Sequence, residues 1–351
     1  MRPALVPRQP PEEPQPDRAA LSTLSQLCAE SLEISWQFYM HLAEGLFCLG
    51  QTDTCLKYLG RAAEEASEIG RRDPRLAKSL NAMGVIHCSQ GNGAAAERAF
   101  KRAIVICEKA LGPEHPDVAM THFNLGGAYK LQYKYDDAAV EYEHALAVSE
   151  RALGRLHPDV ALILDLLGEV YITLGRRAAA LYALRRALAI KESTLGPKDW
   201  GTAVTLIKLG EFYMTGGRYN EAEPLLQRAL AVKRGILGKQ DPSLVEDLKR
   251  LAQVYSAQHK FPEAELLFAS ALGMLQKALG RKHPEIPANL RALAKTYREQ
   301  ARFTDAKKLL EVAMAILEKA LGPEHPDTAV TLEFYSEILR VLNLDAKRKS
   351  W

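Results

Sequence analysis

Leu111-Gly112-Pro113-Glu114-His115-Pro116-Asp117 recurs unchanged as Leu321-Gly322-Pro323-Glu324-His325-Pro326-Asp327. Its opening dipeptide has counterparts in one phase at Ile69-Gly70, Leu153-Gly154, Leu195-Gly196, Leu237-Gly238 and Leu279-Gly280, so that all the copies lie 42 residues apart. Four residues after each glycine stands Pro74, Pro116, Pro158, Trp200, Pro242, Pro284 or Pro326. A whole structural unit therefore repeats, the signature of an array in which each unit buries its apolar face on the next.

The stretch reads as a junction between helices. A glycine closing a long periodic segment suits a helix end in the left-handed conformation, and Pro113 prevents continuation. The later proline fits the first turn of a new helix, which puts Asp73, Asp199, Asp241 or a histidine at the N-cap. Between junctions, paired amphipathic segments flank a short break such as Ser89-Gln90-Gly91-Asn92-Gly93, Gln132-Tyr133-Lys134-Tyr135 or Thr215-Gly216-Gly217-Arg218. Each unit is thus a helical hairpin.

Internal positions agree from unit to unit. A large residue precedes a small one at Met83-Gly84, Leu125-Gly126, Leu167-Gly168, Leu209-Gly210, Leu251-Ala252 and Leu293-Ala294, and a ring follows at His87, Tyr129, Tyr171, Tyr213, Tyr255 or Tyr297. The small residue lets helices approach and the ring fills the adjacent gap. In the second helix, alanine holds positions 96, 138, 180, 222, 264 and 306, and again positions 103, 145, 187, 229, 271 and 313. Seven residues apart, the paired alanines share one helix face.

This wording, from Leu-Gly and Tyr to Ala, a leucine or aromatic, and Ala, resembles the tetratricopeptide repeat. The 42-residue spacing and the Leu-Gly-x-x-His-Pro-Asp connector are similar to the subclass in kinesin light chains, over about Ile34 to Leu342. The resemblance implies an all-α fold, a right-handed superhelical solenoid of antiparallel helix pairs. It covers the repeat domain only, because residues 1–73 are too short for the heptad region that joins a kinesin heavy chain.

The organisation expected is a disordered Pro-rich extension at 1–16, N-terminal helices with a degenerate first repeat at 17–73, six regular hairpins over 74–325, a capping helix at 326–342 and a basic tail at 343–351. Pro3, Pro7, Pro10, Pro11, Pro14 and Pro16 crowd the extension, whose Pro-x-x-Pro matches are common in such tails. Lys347-Arg348-Lys349 could be a nuclear signal, but so short a run is ordinarily solvated.

A formal charge of +3, from 46 basic and 43 acidic residues, argues for neither nucleic acid nor a membrane surface. Five cysteines without a Cys-x-x-Cys pair read as reduced thiols, and no apolar run is long enough for a bilayer, so a cytoplasmic protein is expected. No phosphate loop, His-Glu-x-x-His, nucleophile elbow or paired-cysteine metal signature occurs, so no enzyme activity and no cofactor are expected. His115, His157, His283 and His325 share a motif but sit on separate layers, which suits loop capping better than metal binding.

The resemblance places function on an inner wall lined by first helices, at offsets −3, +1 and +4 from the small residue. That stripe reads Asn81, Val85 and Cys88; Phe123, Gly127 and Lys130; Asp165, Glu169 and Ile172; Ile207, Glu211 and Met214; Lys249, Gln253 and Ser256; Arg291, Lys295 and Arg298. Its middle is acidic with apolar patches and its end is basic, with Lys208 and Arg250 nearby. The expected site is a groove for a protein or peptide partner with an acidic segment, holding Asn81, Asn124, Lys208, Lys249, Arg250, Arg291, Lys295 and Arg298. An ordinary wet basic surface is the competing reading of those cations. Only Asn81 and Asn124 echo the asparagine pairs of kinesin light chain grooves, so that peptide specificity does not carry over, and association with kinesin is left open. The alternative function is a structural assembly factor or oligomer subunit joined through the N-terminal cap, where Cys28, Trp36 and Phe38 are candidates, or through the convex face.

Overall fold

The structure, a computed structural model, describes residues 18–349, with side-chain surroundings for residues 30–343. The Pro-rich extension and the side chains of Cys28 and of the basic tail lie outside what is described. The chain divides into two compact bodies at Leu153 and Gly154. The first holds α1 (Arg18–Cys48), α2 (Thr52–Ile69), α3 (Pro74–Ser89), α4 (Gly93–Leu111), α5 (Pro116–Leu131) and α6 (Tyr135–Leu153). The second holds α7 (Pro158–Thr173), α8 (Arg177–Thr194), α9 (Trp200–Thr215), α10 (Tyr219–Leu237), a 3₁₀ turn at Pro242–Leu244, α11 (Val245–Ala257), α12 (Phe261–Leu279), α13 (Ile286–Glu299), α14 (Phe303–Ala320) and α15 (Pro326–Lys349). No strand occurs among the described residues, and the architecture is the expected all-α succession of helix pairs.

The junction motif works as its residue types require. Asp73 and Asp199 accept from the backbone N–H two residues on, and the histidines do the same through Nδ1, as in His115 to Asp117 at 3.1 Å and His157 to Asp159 at 3.2 Å. The ring proton of each capping histidine therefore sits on Nε2. The glycines differ from expectation. Gly112, Gly238 and Gly280 combine φ of 89–90° with ψ of 156–162°, an extended mirror-image region open only to glycine and not the left-handed helical one. Gly70, at φ 174°, is ordinary extended backbone.

The left-handed helical conformation falls instead inside each hairpin. Gly91, Gly175 and Gly217 occupy it at φ 70–73°, and in the same column Tyr133, His259 and Ala301 occupy it at φ 57–62°. Two first helices start late, α11 at Val245 after the 3₁₀ turn that begins at Pro242, and α13. α13 begins at Ile286 and not at Pro284, because Pro287 lacks an N–H and must lie in the first turn. The last helix continues past Leu342 to Lys349.

Packing within a hairpin rests on the small-residue column. A Cβ placed on Gly84 would lie 2.5 Å from the Phe100 ring, one on Gly126 2.7 Å from Tyr142, and one on Gly168 2.6 Å from Leu184. The side chain that fills the space above the small residue thus comes from the facing helix, not from the ring three residues on as the sequence suggests. Those rings form a separate feature. Tyr129, Tyr171, Tyr213, Tyr255 and Tyr297 each lie under a cation from the hairpin turn, Lys134, Arg176, Arg218, Lys260 or Arg302, at 4.1–5.9 Å.

Three of those cations also reach back to the preceding hairpin, Lys134 to Glu97, Lys260 to Glu223 and Arg302 to Glu265. Hydrogen bonds from Lys101 above all, and from Gln132 and Lys134, hold the Glu97 carboxyl down at about 2.

Because an L-residue in the left-handed helical well costs about 1 kcal/mol relative to glycine, Ala301→Gly is expected to raise stability by about that amount. Urea denaturation should show the midpoint rising with an unchanged slope.

Candidate functional site: the first-helix trough

In the second body, α7, α9, α11, α13 and α15 line a run of three adjoining clefts. The first, of about 550 Å3, has Ile172, Phe212 and Met214 among its lining residues, with Glu169, Glu211, Glu246, Lys249 and Arg250 around them. The next, of about 320 Å3, shares Met214 and Gln253 with it and adds Tyr219, Lys295 and Glu299. The third, of about 400 Å3, shares Ala292 and Lys295 with the second and adds Arg291, Arg298, Val330, Glu333, Phe334 and Glu337. Together they make one trough, with apolar patches at Ile172, Phe212, Met214 and Phe334 set among charged and polar residues.

The charges are largely matched within the chain. Lys208 of α9 meets Glu169 of α7 at 2.5 Å, and Arg250 of α11 meets Glu211 of α9 at 2.5 Å. Arg291 of α13 binds Asp327 at 2.9 Å and the Thr331 hydroxyl at 2.7 Å, both on α15. Arg298 binds Glu337 at 2.9 Å and lies over the Phe334 ring at 5.1 Å. Lys249 pairs along its own helix with Glu246 at 2.7 Å. Among the predicted cations Lys295 alone has no carboxylate partner within the described residues, and it is exposed.

Arg250 and Arg291 are therefore rungs between successive first helices as well as trough-lining residues. Such exposed pairs contribute about 0–1 kcal/mol each, so an incoming carboxylate can exchange with them at small cost. In the first body, Asn124 donates to Asn81 at 3.0 Å, which links α5 to α3, and Phe123 packs at 5.7 Å from Tyr142.

Two readings from sequence need correction. Asp165 is not part of a groove lining, for it is 1% exposed, with Lys191 at 2.5 Å and the Thr205 hydroxyl at 2.9 Å. The carboxylate is sealed by a lysine from α8, a partner that the period of α7 alone does not reveal. A second buried pair, Lys233 with Asp247, repeats the lysine 42 residues on, and there Asp247 takes the position held by Thr205. In the N-terminal cap, Trp36 is not a free docking residue, since its indole N–H donates to Ser79 at 2.8 Å and its ring packs on the cluster around Leu76 and Leu80. Phe38 remains 60% exposed.

The described residues contain no group of three metal-ligating side chains, and no described helix is long and apolar enough to cross a membrane. Repeated hairpins walled by first helices define a helical-repeat interaction scaffold. Family models described as tetratricopeptide repeat match residues 37–104, 75–140, 134–193 and 201–277, and a further such model matches 290–327. The chain belongs to the tetratricopeptide repeat family. No curated protein matches it.

Among solved structures, BtubC (BKLC) from P. vanneervenii is similar at 24% identity and a TM-score of 0.58, over 65% of this chain and 92% of that one. A Podosopora anserina protein with a provisional kinesin light chain name and nearly identical TPR-like repeats matches at 23% identity and 0.53, over 59% and 98%. The apo form of RapI matches at 16% and 0.56, over 81% and 98%. At these identities the likeness is one of fold.

Replacing one member of the Asp165 and Lys191 pair leaves an uncompensated buried charge, so Lys191→Met is expected to cost about 3–5 kcal/mol. Lys191→Met combined with Asp165→Leu should recover most of that loss, as read from urea midpoints.

Proposed function

We propose that the chain is a non-enzymatic adaptor of the cytoplasm that holds a segment of a protein partner in the trough of its second body. Ile172 and Met214 would take apolar side chains of the segment, and its acidic residue would pair with Lys295 and then compete for Lys249 and Arg298. The observation that supports this reading best is the exposed Lys295, unpaired among the described residues at the meeting of two clefts. Charge complementarity then sets register while the apolar patches supply affinity. Nucleic acid, membrane insertion and kinesin have no part in the proposal.

The structure guides the choice of variants. Arg291 and Arg298 tie α13 to α15, so reversing them would disturb the scaffold as well as the trough. Lys295→Glu and Met214→Asp alter the trough without removing a rung. Affinity purification with mass spectrometry on the wild type and on these variants should show the same partners lost from both, with affinity reduced about tenfold or more. Partners retained by both variants, at unchanged helicity, would remove the trough from consideration.

A further inference from the structure

The open side of α15 carries the residues that elsewhere receive a second helix. Ala329, Leu332 and Ser336 stand in register with Ala203, Leu206 and Gly210 of α9, three repeats of 42 earlier. In α9 these positions are covered: Ala203 and Leu206 are 0% exposed in a cluster with Ala229 of α10, and Gly210 lies against Leu226 of α10. On α15 Leu332 is 50% exposed, Ala329 is exposed and Ser336 is half-buried, and no described helix covers them. Leu339 and Asn343 extend the same row at spacings of three and four.

The margin of this face bears Glu333 and Arg340, one in each successive heptad, immediately after Leu332 and Leu339. Neither has an ion-pair partner among the described residues, whereas Arg291, Arg298 and Glu337 close by are all paired. Two α15 helices packed antiparallel across the face, centred near Ser336, put Glu333 of each opposite Arg340 of the other. Packed parallel, the two margins fall on opposite flanks of the pair, and Glu333 of one helix meets no Arg340 of the other. Equivalent edge positions on paired helices govern orientation in this way, and a small central residue permits close approach.

We infer that this face binds the α15 of a second copy of the chain, each helix covering the row of the other in a two-fold antiparallel pair. The row itself stands apart from the trough, because α15 lines the third cleft through Val330, Phe334, Glu337 and the margin residue Glu333, and through none of Ala329, Leu332, Ser336, Leu339 and Asn343.

The test is the oligomeric state of the full chain by light scattering and sedimentation, at concentrations up to about 100 μM. The wild type is expected to dimerise, and Leu332→Glu to abolish dimerisation at unchanged helicity. Glu333→Arg and Arg340→Glu should each weaken the dimer about tenfold, and the two together should restore it, because only the exchanged pair is again complementary. A wild type that stays monomeric, a double exchange that fails to restore association, or a dimer broken by Phe38→Glu and untouched by Leu332→Glu would overturn the inference.

Discussion

Everything in this molecule depends on one close approach, a glycine or alanine of the first helix lying under a large side chain of the second. Gly84 beneath Phe100 and Gly168 beneath Leu184 show it in its tightest form. The contact sets the spacing of each hairpin, and it fixes which side of the first helix is consumed by packing. The remaining side is left to face the trough. Where a backbone turn must close the hairpin, a left-handed residue follows, and the chain accepts Tyr133, His259 and Ala301 there in place of glycine. Local strain is tolerated because packing on both sides determines the turn.

Polar chemistry is layered over that scaffold. Turn cations lie on the tyrosine rings and, at Lys134, Lys260 and Arg302, bind the preceding hairpin as well. Within the second body, first helices are joined along the trough by Lys208 with Glu169 and Arg250 with Glu211. The trough is consequently near charge balance, and in the proposed function its recognition of a partner would rest on the apolar Ile172 and Met214 together with Lys295. Trough and scaffold share residues, so reversing every cation at once would confuse loss of binding with loss of structure.

Much of this was legible in the sequence. The 42-residue phase gave the helix pairs, and the residue types at Asp73 and His115 gave the caps, because those features are local. Others required two distant strands of the pattern to be read together. Lys191 seals Asp165 from 26 residues away, and the apolar run from Val160 to Leu167, interrupted by that one carboxylate, was the available signal. The recurrence of Lys134, Arg176, Arg218, Lys260 and Arg302 at the same spacing as the tyrosines was visible too, but only geometry shows a cation on a ring. Conversely, residues that share a helical stripe, such as Asp165 and Glu169, differ in exposure because one is roofed by a neighbouring helix. Periodicity assigns a face to one helix; burial is decided by what lies across from it.

The central claim is that the trough side of the first helices, and not the outer side of the second helices, engages the partner. Site-specific photocrosslinking tests it most directly, with a benzophenone amino acid placed at Met214 in one variant and at Val232 of α10 in another. The account predicts a partner adduct from position 214 that is absent from position 232. An adduct from 232 alone, with 214 silent in a normally helical protein, would contradict it.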